Sequence, residues 1–208
     1  GTGVGNDLAT ERVMMRKFIL DTIDLWLSHY QVDGFRFDLM GIMDVETMRQ
    51  IRKRSDKEKR PIILLGEGWD LPTNLNPYEK ASSAQSKRLP GIGFFNDYFR
   101  NILKGTLFEE KDTGYVNGNG KYKDHLPMLL TGSSIDSFGL PFVNLVSQTI
   151  NFVECHDNHT LWDRLLLSNP HDSAESRKKM HQLATGITLL RQGIPFLHAG
   201  QEWFRTKQ

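Results

Sequence analysis

A few charged residues stand out for where they fall. Arg36 and Asp38 lie two apart in DGFRFD, a stretch that otherwise reads as a buried strand. Glu67 ends IILLGE, and Asp157 ends INFVECHD with His156 beside it. Burying a charge is costly unless the charge is paired or used. Strand side chains alternate between faces, so Gly34, Arg36 and Asp38 share one face while Phe35 and Phe37 share the other. By the same alternation Ile63, Leu65 and Glu67 share a face, as do Val153, Cys155 and Asp157. Each stretch delivers an acid to the C-terminal end of a strand, where barrel enzymes keep their chemistry. Arg36 offers Asp38 a counter-charge and hydrogen bonds that favour the carboxylate. Paired carboxylates on one rim suit glycoside hydrolysis, and they suit metal binding as well.

Taken singly, each of these residues has a plainer explanation. A strand-end acid is more often a helix cap or a loop residue. A histidine such as His156 more often serves its own loop, and a tryptophan such as Trp69 is more often core. Three acids at equivalent positions weigh against caps alone.

The elements that must carry these residues can be read in outline. Asn6 or Asp7 is expected to cap a helix running to about Tyr30, with Met15, Phe18, Ile19, Ile23, Trp26, Leu27 and Tyr30 at three- and four-residue spacing. VETMRQIRKRSDKEKR reads as a charged helix stopped by Pro61. GIGFFND is a further strand candidate, and residues 106–149 read as an irregular insertion rich in Gly, Ser and Asp. Asp172 with Glu175 looks like a capping box for SRKKMHQLATGITLLRQ, which leads into a last strand at PFLHAG. Strands alternating with helices imply parallel pairing through right-handed crossovers. An open doubly wound sheet and part of a (β/α)8 barrel both fit.

Composition narrows the classes. The 208 residues are 38% hydrophobic, enough for a sizeable core. With 26 Lys and Arg against 25 Asp and Glu, the net charge is +1, which gives no footprint for nucleic acid or an acidic membrane surface. No apolar run is long enough to span a bilayer, and no signal peptide is visible at the start. One cysteine, Cys155, excludes an internal disulfide framework and leaves the compartment open.

Three stretches then resemble sequence blocks of the α-amylase superfamily of glycoside hydrolases: DGFRFDLM, GEGWD and FVECHDNHTLWD. The forms GEGWD and HDNHTLWD are similar to those of the type I pullulanase family of debranching enzymes. GTGVGNDLATER, GIGFFNDYFR and QGIPFLHAGQEWFRTK add to the likeness. The resemblance implies an α/β fold, an incomplete (β/α)8 TIM barrel of approximately strands 4 to 8. It implies that residues 1–208 form part of a catalytic domain lacking strands 1–3 and the last helix. Asp38 then corresponds to the nucleophile, Glu67 to the general acid/base and Asp157 to a third carboxylate that grips sugar hydroxyls. Arg36 corresponds to the arginine that orients Asp38, and His156 to the neighbour of Asp157. Trp69 corresponds to an aromatic beside the acid/base on which a sugar ring stacks. Asn158 and Asp97 are weaker substrate-side candidates. Cys155 stands where a small residue such as serine or alanine is expected.

The implied reaction is retaining hydrolysis of α-1,6-glucosidic branch points in pullulan, amylopectin and related α-glucans. It requires no metal or organic cofactor. Superfamily relatives often carry structural calcium, but these blocks contain no calcium loop. The implied partner is an α-glucan polysaccharide, with neither nucleic acid nor membrane involved. The resemblance spans bacterial enzymes that are secreted, cell-surface or cytoplasmic. Rival readings are an isoamylase-like enzyme or amylopullulanase of the same clan, a truncated carbohydrate-binding fragment without activity, and a metal-dependent hydrolase. Because one arc of the barrel is expected to be missing, the isolated chain is expected to be inactive.

Overall fold

The computed structural model describes residues 2–3 and 5–207. The chain divides into two compact units. One runs up to Phe95 and takes in Val143–Gln148; the other comprises Asn96–Phe142 and the chain from Thr149 onward. Each is an α/β arrangement with parallel strand pairing, as the alternation of elements implies.

The first unit opens with helix α1 (Val13–Ser28), followed by strand β1 (Gly34–Phe37), helix α2 (Val45–Ser55), strand β2 (Ile63–Gly66) and strand β3 (Gly93–Phe95). The expected cap at Asn6 or Asp7 is not used. Arg12 is the N-cap of α1 and makes no side-chain capping bond, because a turn through Leu8–Arg12 intervenes. Ile23 and Leu27 are its buried positions, while Phe18, Trp26 and Tyr30 are exposed. Helix α2 is shorter than its charged sequence suggests. It is capped by Asp44, whose carboxylate accepts from the Thr47 N–H at 2.9 Å, and it ends at Ser55 rather than at Pro61. Glu58 and Arg60, beyond that end, form an ion pair with each other, and Arg60 also reaches Asp33. Such pairing favours the turn over further helix.

β1 and β2 pair in parallel with Gly34 opposite Ile63 and Phe37 opposite Gly66. β2 pairs in parallel with β3 through Leu65 and Gly93. Met40, Met48, Ile51, Leu64, Leu89, Ile92 and Phe94 are buried in this unit. Gln148 completes it: its side-chain amide donates to the carbonyls of Ser86 and Leu89 at 2.9 Å.

The second unit contains helix α3 (Asp97–Lys104), the short helix α4 (Leu126–Leu130), strand β4 (Thr149–Asn151), helices α5 (Leu161–Ser168) and α6 (Ala174–Leu190), and strand β5 (Ile194–Pro195). Between residues 106 and 149, besides α4, the chain holds short 3-10 turns within the mostly irregular stretch that the sequence suggested. β4 and β5 pair in parallel and are shorter than expected; INFVECHD is strand only to Asn151, and PFLHAG is strand only at Pro195. α6 is capped by Ser173, which accepts from Ser176 N–H at 3.1 Å, and not by Asp172, which bonds Asn169 instead. Phe99, Leu103, Leu129, Val153, Leu161, Leu165 and Ala184 form the core.

Lys104, the last residue of α3, is 2% exposed. Burial pushes its ammonium down to about 7, with Arg100 and Arg164 adding repulsion and Glu154 opposing it. Below about pH 7 folded and unfolded chains both hold the proton, so the burial cost is fully present. Between there and the ordinary value of 10.5 the folded chain releases the proton first, and the cost recedes as pH rises. Lys104→Met is therefore expected to raise the melting temperature at about pH 6, with an advantage that shrinks toward about pH 10. An equal gain at both pH values, measured by circular dichroism, would refute this account.

Candidate active site

In the first unit, the in-register pairing of β1 and β2 decides the geometry. Arg36 lies opposite Leu65, and Phe37 opposite Gly66. The next residues, Asp38 and Glu67, therefore leave their strands side by side, and the Glu67 N–H still donates to the Phe37 carbonyl at 3.1 Å. Arg36 reaches both acids. One nitrogen pairs with Asp38 and the other donates to Glu67 Oε1 at 2.5 Å. The second Glu67 oxygen accepts from the Leu39 N–H at 2.8 Å. Arg36 is thus shared, where sequence suggested a partner for Asp38 alone. Burial works against its charge, but the Asp38 hydrogen bond and the Glu67 charge outweigh it and hold the guanidinium above its ordinary value. Its face also lies 5.5 Å from the centre of the Phe95 ring.

The two acids differ in exposure. Glu67 is 3% exposed, whereas the Asp38 side chain is 62% exposed. An oxygen of one lies within 4.8 Å of an oxygen of the other. Leu39 holds a left-handed backbone, φ 47°, which is uncommon for a residue with a side chain. That conformation goes with an N–H delivered to Glu67. An apolar cleft of about 500 Å3 lies next to Asp38, lined by Leu8, Phe18, Ile23, Phe37, Ile42 and others.

Trp69 follows two residues after Glu67 and is partly buried. Its segment is fixed by backbone contacts. Gly41 N–H donates to the Glu67 carbonyl at 2.7 Å, and Gly68 accepts from Ser83 N–H at 3.1 Å. The buried Lys80 ammonium ties the Asp70 carboxylate at 2.8 Å and the Leu71 carbonyl at 2.7 Å. Asp44, the other acid of the opening stretch, is a structural cap. Burial would raise it, but bonds from Thr47 and Thr10 and the Arg16 charge hold it below the usual carboxylate range.

In the second unit, His156, Asp157 and Asn158 lie beyond the end of β4, in loop rather than strand. The expected strand alternation for Val153, Cys155 and Asp157 does not apply there. Phe152 and Val153 are instead buried one after the other. His156 Nε2 lies 3.3 Å from Asp157 Oδ2, and Asn158 has φ 59°. Asp97 sits in the first turn of α3 after the cap Asn96. Burial pushes its carboxyl up, against the opposing Arg100 charge.

Several residues that shape these places were not singled out by sequence. Leu39 acts through its backbone, so no side-chain pattern marks it. Glu154, buried at 2%, accepts from Leu161 N–H at 2.5 Å and lies 3.0 Å from His198 Nδ1. Its place in an apolar run was the available signal, since a buried acid needs partners. Asn96, fully buried, donates to Ser133 and Thr149, both at 3.0 Å, and caps α3.

No family model matches the chain. It is 50% identical to a pullulanase of Bacillus subtilis (strain 168) over all 208 residues, which cover 29% of that protein. Among solved structures, the pullulanase type I from Bacillus subtilis str. 168 complexed with maltose matches with a TM-score of 0.97 and 50% identity, over 100% of this chain and 29% of that one. The pullulanase complexed with maltotetraose from Anoxybacillus sp. LM18-11 matches with a TM-score of 0.95 and 48% identity, over 100% of this chain and 30% of that one. The chain is therefore similar along its whole length to part of a pullulanase, and it spans less than a third of the length of these relatives.

Gly41 provides a direct check on how the Trp69 segment is held. A Cβ there would stand 2.0 Å from the Trp69 carbonyl oxygen and 2.8 Å from its carbon, both backbone atoms. Gly41→Ala is expected to cost about 1–3 kcal/mol through overpacking. It should also shift the Trp69 fluorescence, read against a Trp69→Phe control. An unchanged spectrum and melting temperature would show that the segment yields freely.

Proposed function

We propose that this chain, as part of a longer pullulanase-type protein, carries the reacting carboxylates of a retaining glycoside hydrolase that cleaves α-1,6-glucosidic branch linkages in pullulan, amylopectin and related α-glucans. In this reading it supplies strands 4 to 8 of a (β/α)8 barrel. The observation that carries the proposal is the carboxylate pair Asp38 and Glu67, bridged by Arg36 with oxygens within 4.8 Å. Retaining glycosidases hold their two carboxyl groups at about 5–5.5 Å, whereas inverting ones need about 6.5–9.5 Å to admit a water. Likeness to proteins named pullulanases supports the substrate class.

Glu67, acting as the general acid, gives a proton to the glycosidic oxygen as the bond from that oxygen to the anomeric carbon breaks. Asp38 attacks the same carbon and forms a glycosyl ester. Glu67, now ionised, takes a proton from water, the water oxygen bonds to the anomeric carbon, and Asp38 is released. Retention follows from two displacements at one carbon. Arg36 orients Asp38. Trp69 stacks on a sugar ring, Asp157 with His156 grips sugar hydroxyls, and Asn158 and Asp97 serve the substrate side. The reaction needs no cofactor.

In the full protein, Asp38→Ala is expected to abolish turnover of pullulan, because it removes the covalent route. Activity above a few per cent would refute the assignment. Glu67→Gln should lose roughly 10²–10⁴-fold, and less on a substrate whose activated leaving group needs no proton. Equal losses on both substrates would rule against Glu67 as the acid. Maltotriose as the product from pullulan marks α-1,6 cleavage; panose would mark α-1,4 cleavage and overturn the linkage.

A further inference from the structure

We infer that Lys207 is a positioning residue for the loop that carries His156 and Asp157, an inference that rests on the proposed function for what that loop does. Its ammonium donates to the carbonyl of His156 at 2.5 Å, to that of Asn158 at 2.6 Å and, more weakly, to that of Cys155 at 3.4 Å. An ammonium has three donors and no acceptor, and here each donor meets one main-chain oxygen. The charge strengthens these bonds. The lysine is itself anchored, since its own N–H donates to Asp163 Oδ2 at 2.9 Å. Asp163 is 4% exposed and lies in the first turn of α5, where its N–H donates to the cap Thr160 at 3.1 Å. A path of bonds therefore runs from a helix end, through Lys207, to the backbone of the loop.

The loop has features that need such a clamp. Asn158 is left-handed at φ 59°, a conformation uncommon outside glycine that asparagine takes more readily than most residues. The carbonyls on both sides of Asp157, those of His156 and Asn158, turn toward the same ammonium. The His156 and Asp157 side chains stay 54% and 62% exposed, 3.3 Å apart at Nε2 and Oδ2. Holding a four-carbon side chain in one rotamer costs entropy, and a surface lysine seldom does so for one neutral acceptor. Lys207 touches no sugar in this reading. It acts through the backbone, and its loss lets Asp157 drift from where the distorted sugar ring needs it.

The test compares Lys207→Met and Lys207→Arg with the wild type in the full protein. Methionine keeps length and removes the donors; arginine keeps charge and donors. Lys207→Met is expected to lower kcat on pullulan tenfold to a hundredfold, the scale of a small misplacement of a working group, with KM within about threefold. Lys207→Arg should recover most of the loss. The backbone amide NMR signals of Asp157 to His159 should shift and exchange faster with solvent in the methionine variant, while the melting temperature stays near that of the wild type. Unchanged loop signals would overturn the proposal. So would a lowered melting temperature or an unfolded variant with no separate fall in kcat, which would make the lysine a general stabiliser. If the wild-type protein releases nothing from pullulan, the proposed function fails, and the amide signals alone judge the clamp.

Discussion

One guanidinium holds two carboxylates, and the geometry around it follows from that. The register of β1 on β2 brings the ends of both strands level, so Asp38 and Glu67 emerge as neighbours with Arg36 one step behind. The two halves of the pairing are unequal. Asp38 is largely exposed, and a bond to an exposed acid contributes little stability. Glu67 is buried, and leaving it without partners would cost several kcal/mol. The Glu67 half therefore fixes the arginine, and the arginine then presents its other nitrogen to Asp38. Close backbone packing supports this. A Cβ on Gly66 would meet the Phe37 carbonyl at 2.7 Å and Met40 at 2.8 Å, so only glycine lets the chain after Asp38 fold back over β2.

The second unit solves a similar problem by other means. Its loop acid, Asp157, has no buried arginine among the bonds described for it. Instead, buried polar groups fix the main chain around it. Glu154 accepts from the first N–H of α5 and meets His198 on its other oxygen, with Arg205 at 3.2 Å from the far ring nitrogen of that histidine. Arginine can only donate, so His198 Nε2 accepts and Nδ1 carries the proton toward Glu154. Satisfied in this way, a buried acid becomes a fixed point between two loops.

What could be read in the sequence follows from how local each signal is. The parallel α/β pattern, the strand that delivers Arg36 and Asp38 to one face, and the acid at the end of β2 all came from periodicity over a few residues. Alternation failed after Asn151, where the chain stays apolar and buried through Val153 but leaves the ladder. Burial and strand pairing give the same short-range pattern there, so periodicity could not separate them. The cap of α1 was misplaced because a backbone turn through Leu8–Arg12 separates Asn6 and Asp7 from the helix, and that of α6 because Asp172 and Ser173 both precede the helix and tertiary partners decide which one serves. Asp172, for example, is taken by Asn169. The second bond of Arg36, to Glu67, spans 31 residues of sequence, and the Leu39 N–H is a backbone group. Neither leaves a mark in composition or spacing. The roles given to the acids came from resemblance, not from periodicity.

The segment Val143–Gln148 belongs to the first unit although residues 96–142 are spent elsewhere before it. Gln148 serves the Ser86 and Leu89 carbonyls, and the Asn144 N–H donates to the Ser86 hydroxyl at 3.0 Å. During synthesis the turn through Ser86–Ile92 is made long before these partners exist, and water must serve its carbonyls in the meantime. The entropy of closing so large a loop rises only slowly with its length, so the delay is mainly one of time. The β1–α2–β2 segment has its partners within one contiguous stretch and is free to assemble early. The turn before β3 reaches its final hydration only after residues 93–148 have been translated.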